Sequence, residues 1–283
     1  MKGNEMRIST VNVNGIRAAA RKGIAAWLEA TAADIILLQE VRAPADITAD
    51  IFAGTGYRIY TAVSDIKGRA GVAVAVREGI GVGEVRDHLG VGADGKPVSE
   101  EAPVDSGRWL EVELPDDQLR VVSAYLHSGV ADNPEKMAAK YAHLERVSAR
   151  LAQFDPAART LVAGDFNIVH TEADIENWKS NHNRTSGVLD DEIAYLDRWF
   201  GGPWVDVQRA LLEHNGHEGK GPYTWWSQRG KAFDNNVGWR IDYHMASPAF
   251  AATAQSFTIG RAASYAERWS DHAPLTVDYQ LES

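Results

Sequence analysis

The chain has 283 residues, of which 45% are hydrophobic and 24% charged, ordinary globular proportions with length enough for a large core. It contains no cysteine, which excludes disulfides and thiolate metal sites and fits a reducing compartment. Its net charge of -10 gives no general pull toward nucleic acid, unless acidic residues gather at a divalent cation that supplies local positive charge.

The first stretch, Met1-Lys-Gly-Asn-Glu-Met6, is too polar and short for a secretion signal, and no apolar run reaches membrane-spanning length. A cytoplasmic monomer with no membrane partner is expected, associated with the nucleoid if the source is prokaryotic. No Pro- or Ser-rich linker divides the chain, so one domain over residues 1–283 is expected, with residues 1–5 disordered.

Residues 7–11 read as the first strand, followed by Asn12-Val-Asn-Gly-Ile-Arg17. Residues 18–30 are Ala-rich with apolar spacing and predict a helix. Residues 34–40 predict a buried strand ending in the Glu40 carboxylate. A β-α-β start implies parallel strands with helices on the sheet faces. Residues 57–62 and 71–76 predict two more strands, joined by a polar loop that carries Lys67 and Arg69. Residues 109–114 alternate apolar and polar, which predicts a strand with one exposed face. Gly90-Val-Gly-Ala-Asp-Gly95 fits the dinucleotide-loop pattern, but Lys96-Pro97 follows where a helix would have to begin, so a flexible surface insertion is expected. Residues 118–125 predict a strand, residues 134–153 a helix, residues 160–163 a buried strand ended by Gly164, and residues 190–200 a helix. Strands are expected again over 240–245, 255–259 and 275–281.

Chemistry-bearing residues recur at strand ends, where ligand sites form in α/β folds. Asp165 and Asn167 follow the apolar run Leu161-Val-Ala163, one residue apart. They sit on an extended segment, so their side chains are expected to share a side. Glu40, Asn12, Tyr125, Asp242 and the Ser270-Asp-His-Ala-Pro274 segment occupy comparable places. Oxygen and imidazole groups without thiolates suit metal-assisted phosphodiester hydrolysis. In that scheme Glu40 is the first candidate metal ligand and Asp165 the candidate base. His272 donates to a phosphate oxygen or itself acts as base, oriented by Asp242. Asn12, Asn167 and Tyr125 are uncharged groups suited to holding the phosphate.

The segments Asn12-Val-Asn-Gly-Ile-Arg17, Leu37-Leu-Gln-Glu40, Gly164-Asp-Phe-Asn167, Val237-Gly-Trp-Arg-Ile-Asp-Tyr243 and Ser270-Asp-His-Ala-Pro274, in that order, resemble the exonuclease III type of AP endonuclease. The likeness runs from about Arg7 to Leu281. It lies within the endonuclease/exonuclease/phosphatase superfamily. It implies a DNase I-like four-layer α/β sandwich, with two mixed β-sheets flanked by helices. It also implies a Mg²⁺-dependent DNA repair nuclease, with Mn²⁺ able to substitute. Such an enzyme cuts 5′ to abasic sites to leave a 3′-hydroxyl and trims or cleans 3′ ends of double-stranded DNA. By the same likeness Glu40, Asn12 and Asp271 form the metal group, Asp165 handles the attacking water, and Tyr125, Asn167, Asp242 and His272 complete the catalytic set. Trp225 and Trp239 match positions that line a pocket for the base-less nucleotide, with Phe233 near them.

Lys67 with Arg69, Lys179 with Arg184, and Arg229 with Lys231 are cation pairs suited to DNA backbone contacts, Arg69 being the one placed nearest the substrate. The chain departs from the family pattern at Val41-Arg42, at Leu126-His-Ser-Gly129 and in a long acidic loop over residues 90–106. His127 therefore either adds a phosphate contact or packs, and the balance of endonuclease against exonuclease stays open. A lipid or sugar phosphatase of the same superfamily is the alternative enzyme. A catalytically silent nucleic-acid-binding relative is the alternative outside enzymes; it would require the loss of at least one of Glu40, Asp165, Asn167, Asp242 or His272, and none is lost.

Overall fold

The computed structural model describes residues 4–281. Its strands in chain order are β1 (Asn4–Asn12), β2 (Ile35–Gln39), β3 (Tyr57–Ala62), β4 (Val72–Arg77), β5 (Val85–Arg86) and β6 (Trp109–Leu114). They continue with β7 (Leu119–Tyr125), β8 (Arg159–Asp165), β9 (Val205–Asp206), β10 (Asp242–Ala246), β11 (Ala254–Ile259) and β12 (Leu275–Leu281). The helices are α1 (Ile16–Arg21), α2 (Ile24–Thr31), α3 (Ala45–Phe52), α4 (Pro134–Leu151), α5 (Trp178–Asn181), α6 (Asp190–Phe200), α7 (Val207–His214) and α8 (Pro248–Ala251). Among the described residues, no helix is long and apolar enough to cross a membrane.

Two six-stranded sheets form, in the orders β11-β12-β1-β2-β4-β3 and β5-β6-β7-β8-β10-β9. Each is mixed: β1 and β2 are parallel, as are β7 and β8, while the other pairs are antiparallel. Period-2 alternation explains the stacking. Ile8, Leu37, Val74, Val112, Val121, Leu161 and Val277 point into the gap between the sheets and form one core. The alternate residues Val11, Ile36, Leu38, Ala73 and Ala75 pack outward against Ile16, Leu28 and Phe52 of α1–α3. Trp109, Val122 and Val162 pack outward against α4 and α6 through Leu144, Val147, Leu151, Leu196 and Trp199. Strands apolar on both faces must be covered on both faces, so the order is helix, sheet, sheet, helix. This is the expected four-layer sandwich.

Several local expectations change. Residues 18–30 are not one helix; Gly23, at φ 105, separates α1 from α2. β6 has no exposed face, because outward Glu111, 3% exposed, accepts Arg150 Nε and Nη2 at 2.7 Å each. An ion pair with α4 thus covers what alternation alone assigned to water. The 90–106 insertion is looped as expected, but it is not a free surface segment. Leu89 and Asp105 are buried, and Arg146 of α4 bonds both Glu101 and Asp105. Asn4 and Glu5 are not disordered; they pair with Leu281 and Gln280 in β1. Residues 1–3 fall outside the described residues.

Candidate active site

The inward-facing rows of the two sheets turn polar at one end. In β1 the row runs Ile8, Thr10, Asn12; in β7, Val121, Ser123, Tyr125; in β8, Leu161, Ala163, Asp165. Gln39 ends β2 on the same side and donates to Thr10 Oγ1 and Ser123 Oγ, both at 3.0 Å. This buried relay marks where apolar core gives way to the site. Tyr125 stands opposite Asp165 in the parallel pair β7/β8. Asp242 stands opposite Asp165 in the antiparallel pair β8/β10. Gly164 permits the close β7/β8 approach: a Cβ there would lie 1.9 Å from the Ala124 carbonyl oxygen.

Asn12 joins the sheets. Its Nδ2 donates to Glu40 Oε1 and to Asp165 Oδ2, both at 2.8 Å. Its Oδ1 accepts the Asn14 backbone N–H at 2.9 Å. Asn14 Nδ2 in turn donates to Asp271 Oδ1 at 2.8 Å. A chain of amides therefore links Glu40, Asp165 and Asp271. Asn12, expected as a metal ligand, has both ends of its amide committed to protein partners. Glu40 lies one residue past β2, not within it, and its φ of 50 is left-handed. That conformation costs on the order of 1 kcal/mol for a residue with a Cβ. Arg42 pairs with its Oε2.

Asp165 is 1% exposed. Its Oδ1 accepts the Asn167 backbone N–H at 2.9 Å. Asn167 does not continue the strand as expected. Its φ is 53, and its Nδ2 donates to the Leu126 carbonyl at 3.0 Å. The turn after β8, not extended alternation, brings Asn167 beside the aspartate. Burial raises the Asp165 pKa; His272 opposes the rise, and Asp242 and Glu40 add to it.

His272 Nδ1 pairs with Asp242 Oδ2 at 2.9 Å, and its Nε2 lies 3.7 Å from Asp165 Oδ2. Burial alone would lower the His272 pKa, but Asp242 and then Asp165 more than reverse this. Ser270 Oγ donates to the Asn12 carbonyl at 2.6 Å and accepts the His272 backbone N–H at 3.2 Å. That anchors the final motif to β1, at the opposite end of the sequence. Asp242 Oδ1 is buried with no hydrogen-bond partner.

Tyr125 is 8% exposed; burial and the nearby charges of Glu40 and Asp165 push its pKa well above the usual phenol value, so it remains a donor. Arg108 lies 4.8 Å above its ring. Sequence reasoning missed Arg108, because nothing local distinguishes it from a surface cation at the start of β6. Thr224 was also missed. Its Oγ1 accepts the backbone N–H groups of Ile241 and Asp242 at 3.2 Å each, tying the aromatic segment to the catalytic strand.

Trp225 and Trp239 are half-buried and meet at 5.2 Å between ring centroids, with an interplanar angle of 70°. Trp225 also lies 6.5 Å from the His272 ring and donates Nε1 to Asp271 Oδ2 at 3.3 Å. The Trp225 indole therefore borders the Asp165, Asp242 and His272 group, with Trp239 packed against it. Phe233 does not join them. It is 2% exposed and packs on Trp226, with Arg261 and Arg268 over its ring. Arg69 is exposed on the turn before β4 and shares a groove with Arg108 and Ser128.

The donor set fits a hard cation. Carboxylates of Glu40 and Asp271 are linked through amides, Asp242 Oδ1 is an unpaired buried oxygen, and no sulfur is present. The arrangement also offers a buried carboxylate, Asp165, beside an imidazole, His272, whose other nitrogen is held by a carboxylate. Such a group can accept a proton from water and donate to a phosphate oxygen.

Comparison with known proteins agrees with this geometry. A profile of the endonuclease/exonuclease/phosphatase family matches residues 9–272. The chain is 28% identical over 273 residues to an exodeoxyribonuclease of Bacillus subtilis, covering 96% of this chain and 98% of that protein. It superposes on an AP endonuclease from Archaeoglobus fulgidus with a TM-score of 0.80 at 25% identity, covering 97% of this chain and 99% of the other. A 3′ phosphatase from Neisseria bound to a product DNA hairpin gives a TM-score of 0.77 at 27% identity, with the same coverages of 97% and 99%. With matching order, fold and polar strand ends, the chain belongs to the endonuclease/exonuclease/phosphatase family.

Proposed function

We propose that this protein is a DNA repair nuclease that hydrolyses the phosphodiester 5′ to an abasic site, leaving a 3′-hydroxyl, and also trims or cleans 3′ ends. The observation that carries this reading is the meeting of Glu40, Asp165, Asp242 and His272 beside the Trp225–Trp239 pair. Four distant chain segments converge there, and the aromatic wall adjoins the reacting group. A base-less nucleotide turned out of the duplex fits against an aromatic wall that a full nucleotide would crowd. This favours abasic DNA over a lipid or sugar phosphate. The relatives named above, an exodeoxyribonuclease, an AP endonuclease and a 3′ phosphatase, support the same substrate class.

Glu40 and Asp271 would hold Mg²⁺, with Mn²⁺ a substitute, and the ion would neutralise charge on the scissile phosphate. Asn12 holds the Glu40 and Asp165 carboxylates in place. Asp165 orients the attacking water and takes its proton. His272, fixed by Asp242, donates from Nε2 to a phosphate oxygen. Tyr125 and Asn167 steady the same phosphate as its charge grows. Arg69 and Arg108 contact the backbone beyond it. We read the chain as one catalytic domain, monomeric and cytoplasmic.

The test is one cleavage assay on three duplexes: abasic, intact, and abasic with chelator. Incision 5′ to the abasic site that chelator abolishes supports the reading. Equal internal incision of the intact duplex, or cutting that survives chelation, rejects it.

A further inference from the structure

We propose that Asp105, His127 and His143 form a second cation site, for a borderline divalent transition metal of the zinc or cobalt class, separate from the Glu40 and Asp271 centre. The three residues come from the loop before β6, the turn after β7 and the middle of α4. Asp105 Oδ1 lies 2.7 Å from His127 Nε2 and 3.3 Å from His143 Nδ1. One donor atom from each falls within 4.8 Å of the others. Asp105 is 6% exposed, His127 7% and His143 0%.

A second observation points to a ligand. His143 Nε2 is buried without a hydrogen-bond partner, and its Nδ1 has only the 3.3 Å contact with Asp105 Oδ1. Burial also holds the His127 and His143 pKa values below the usual imidazole value, which keeps both rings in the neutral form that binds metal. Arg146 donates to Asp105 Oδ2 at 2.5 Å and to Glu101 Oε1 at 3.1 Å. It fixes the carboxylate from behind and leaves Oδ1 toward the imidazoles. Two imidazoles and one carboxylate favour zinc-class ions over Mg²⁺, which prefers oxygen donors. Metal–ligand bonds of about 2.0–2.2 Å require the closest pair to open slightly.

Occupancy would staple the loop before β6 to β7 and α4. That loop ends at Arg108, whose guanidinium covers Tyr125. The site thus stiffens one wall of the nuclease centre without entering it. It also gives a use to two departures from the family pattern, the long 90–106 loop and His127.

The test uses the full chain, stripped of metal and held in excess Mg²⁺, titrated with Co²⁺ while visible absorption is followed. The expected result is a ligand-field band that saturates at one equivalent. His127→Gln and His143→Gln should each weaken it at least about tenfold, and Glu40→Gln should leave it intact. Because a buried histidine variant can misfold, a second measurement uses the unaltered chain. Crystals grown with Zn²⁺ should show an anomalous peak between Asp105, His127 and His143. The site is overturned by absence of the band, by its survival in either histidine variant, by its loss in Glu40→Gln, or by a peak confined to Glu40 and Asp271.

Discussion

Asp165 and Asp242 are direct cross-strand partners on β8 and β10. Both turn into the gap between the sheets, where two buried carboxylates repel. His272 lies against both, at 3.7 Å and 2.9 Å. The imidazole is therefore the charge that makes the facing aspartates tolerable.

Removing one of these carboxylates should separate activity from stability. Asp165→Asn is close to isosteric and deletes a charge that burial disfavours. Cleavage of an abasic-analogue duplex should fall by ~100- to 10,000-fold, while the thermal midpoint holds or rises. Near-normal cutting would end the role given to Asp165.

Asp242→Asn should move the pH profile. Asp242 is the chief group raising the His272 pKa against the lowering effect of burial. Without it the imidazolium is lost at lower pH, so the alkaline limb of kcat should shift downward. The rate itself should drop by ~10-fold or more. An alkaline limb that stays in place would show that His272 does not set it.

Arg240, 0% exposed, donates to Asp174 Oδ1 at 2.7 Å and to Asp206 Oδ1 at 3.0 Å. This pair holds the segment carrying Trp239 and Asp242. Burial would raise the Asp174 pKa, but Arg240 and Arg209 hold it well below the usual carboxylate range. A depressed carboxylate stabilises the fold above its unfolded pKa of about 3.9, and that stability is lost as pH falls through the folded value. Asp174→Asn should cost roughly 3–5 kcal/mol at neutral pH and flatten the loss of melting temperature below about pH 4. A midpoint unchanged at pH 7 would refute the latch.

The Trp225 ring and its N–H have distinct jobs. Trp225→Ala should weaken binding to an abasic duplex by ~1–3 kcal/mol. Trp225→Phe keeps a ring and loses only the bond to Asp271, so it should lose less. Equal loss in the two variants, measured by fluorescence anisotropy, would assign Trp225 to Asp271 positioning alone.

Lys67 and Arg69 are both exposed on the turn before β4. Changing both to Gln should lower the slope of log binding constant against log salt by about 0.9 for each phosphate that is no longer neutralised. A slope equal to that of the unaltered chain would move the DNA path away from this turn.

The layers and the cast of residues can be read from the order of amino acids alone. Apolar runs such as residues 35–38 and 72–76 have no polar face, so their strands had to be covered on both sides. Oxygen and imidazole groups recurring just past such runs marked the site's members, because that is where a buried strand meets solvent. Which residue touches which is set by the packing of the layers. Asn12 could be read as a ligand, yet only the meeting of two sheets turns its single amide into a bridge between Glu40 and Asp165. Asn167 shared a side with Asp165 in an extended reading, but a left-handed turn placed it. Phe233 and Trp225 belong to one aromatic segment, and packing sent the first into the core and left the second at the site. Local spacing records backbone period and polarity. Contacts between residues more than a hundred positions apart depend on how the layers stack, which no local pattern encodes.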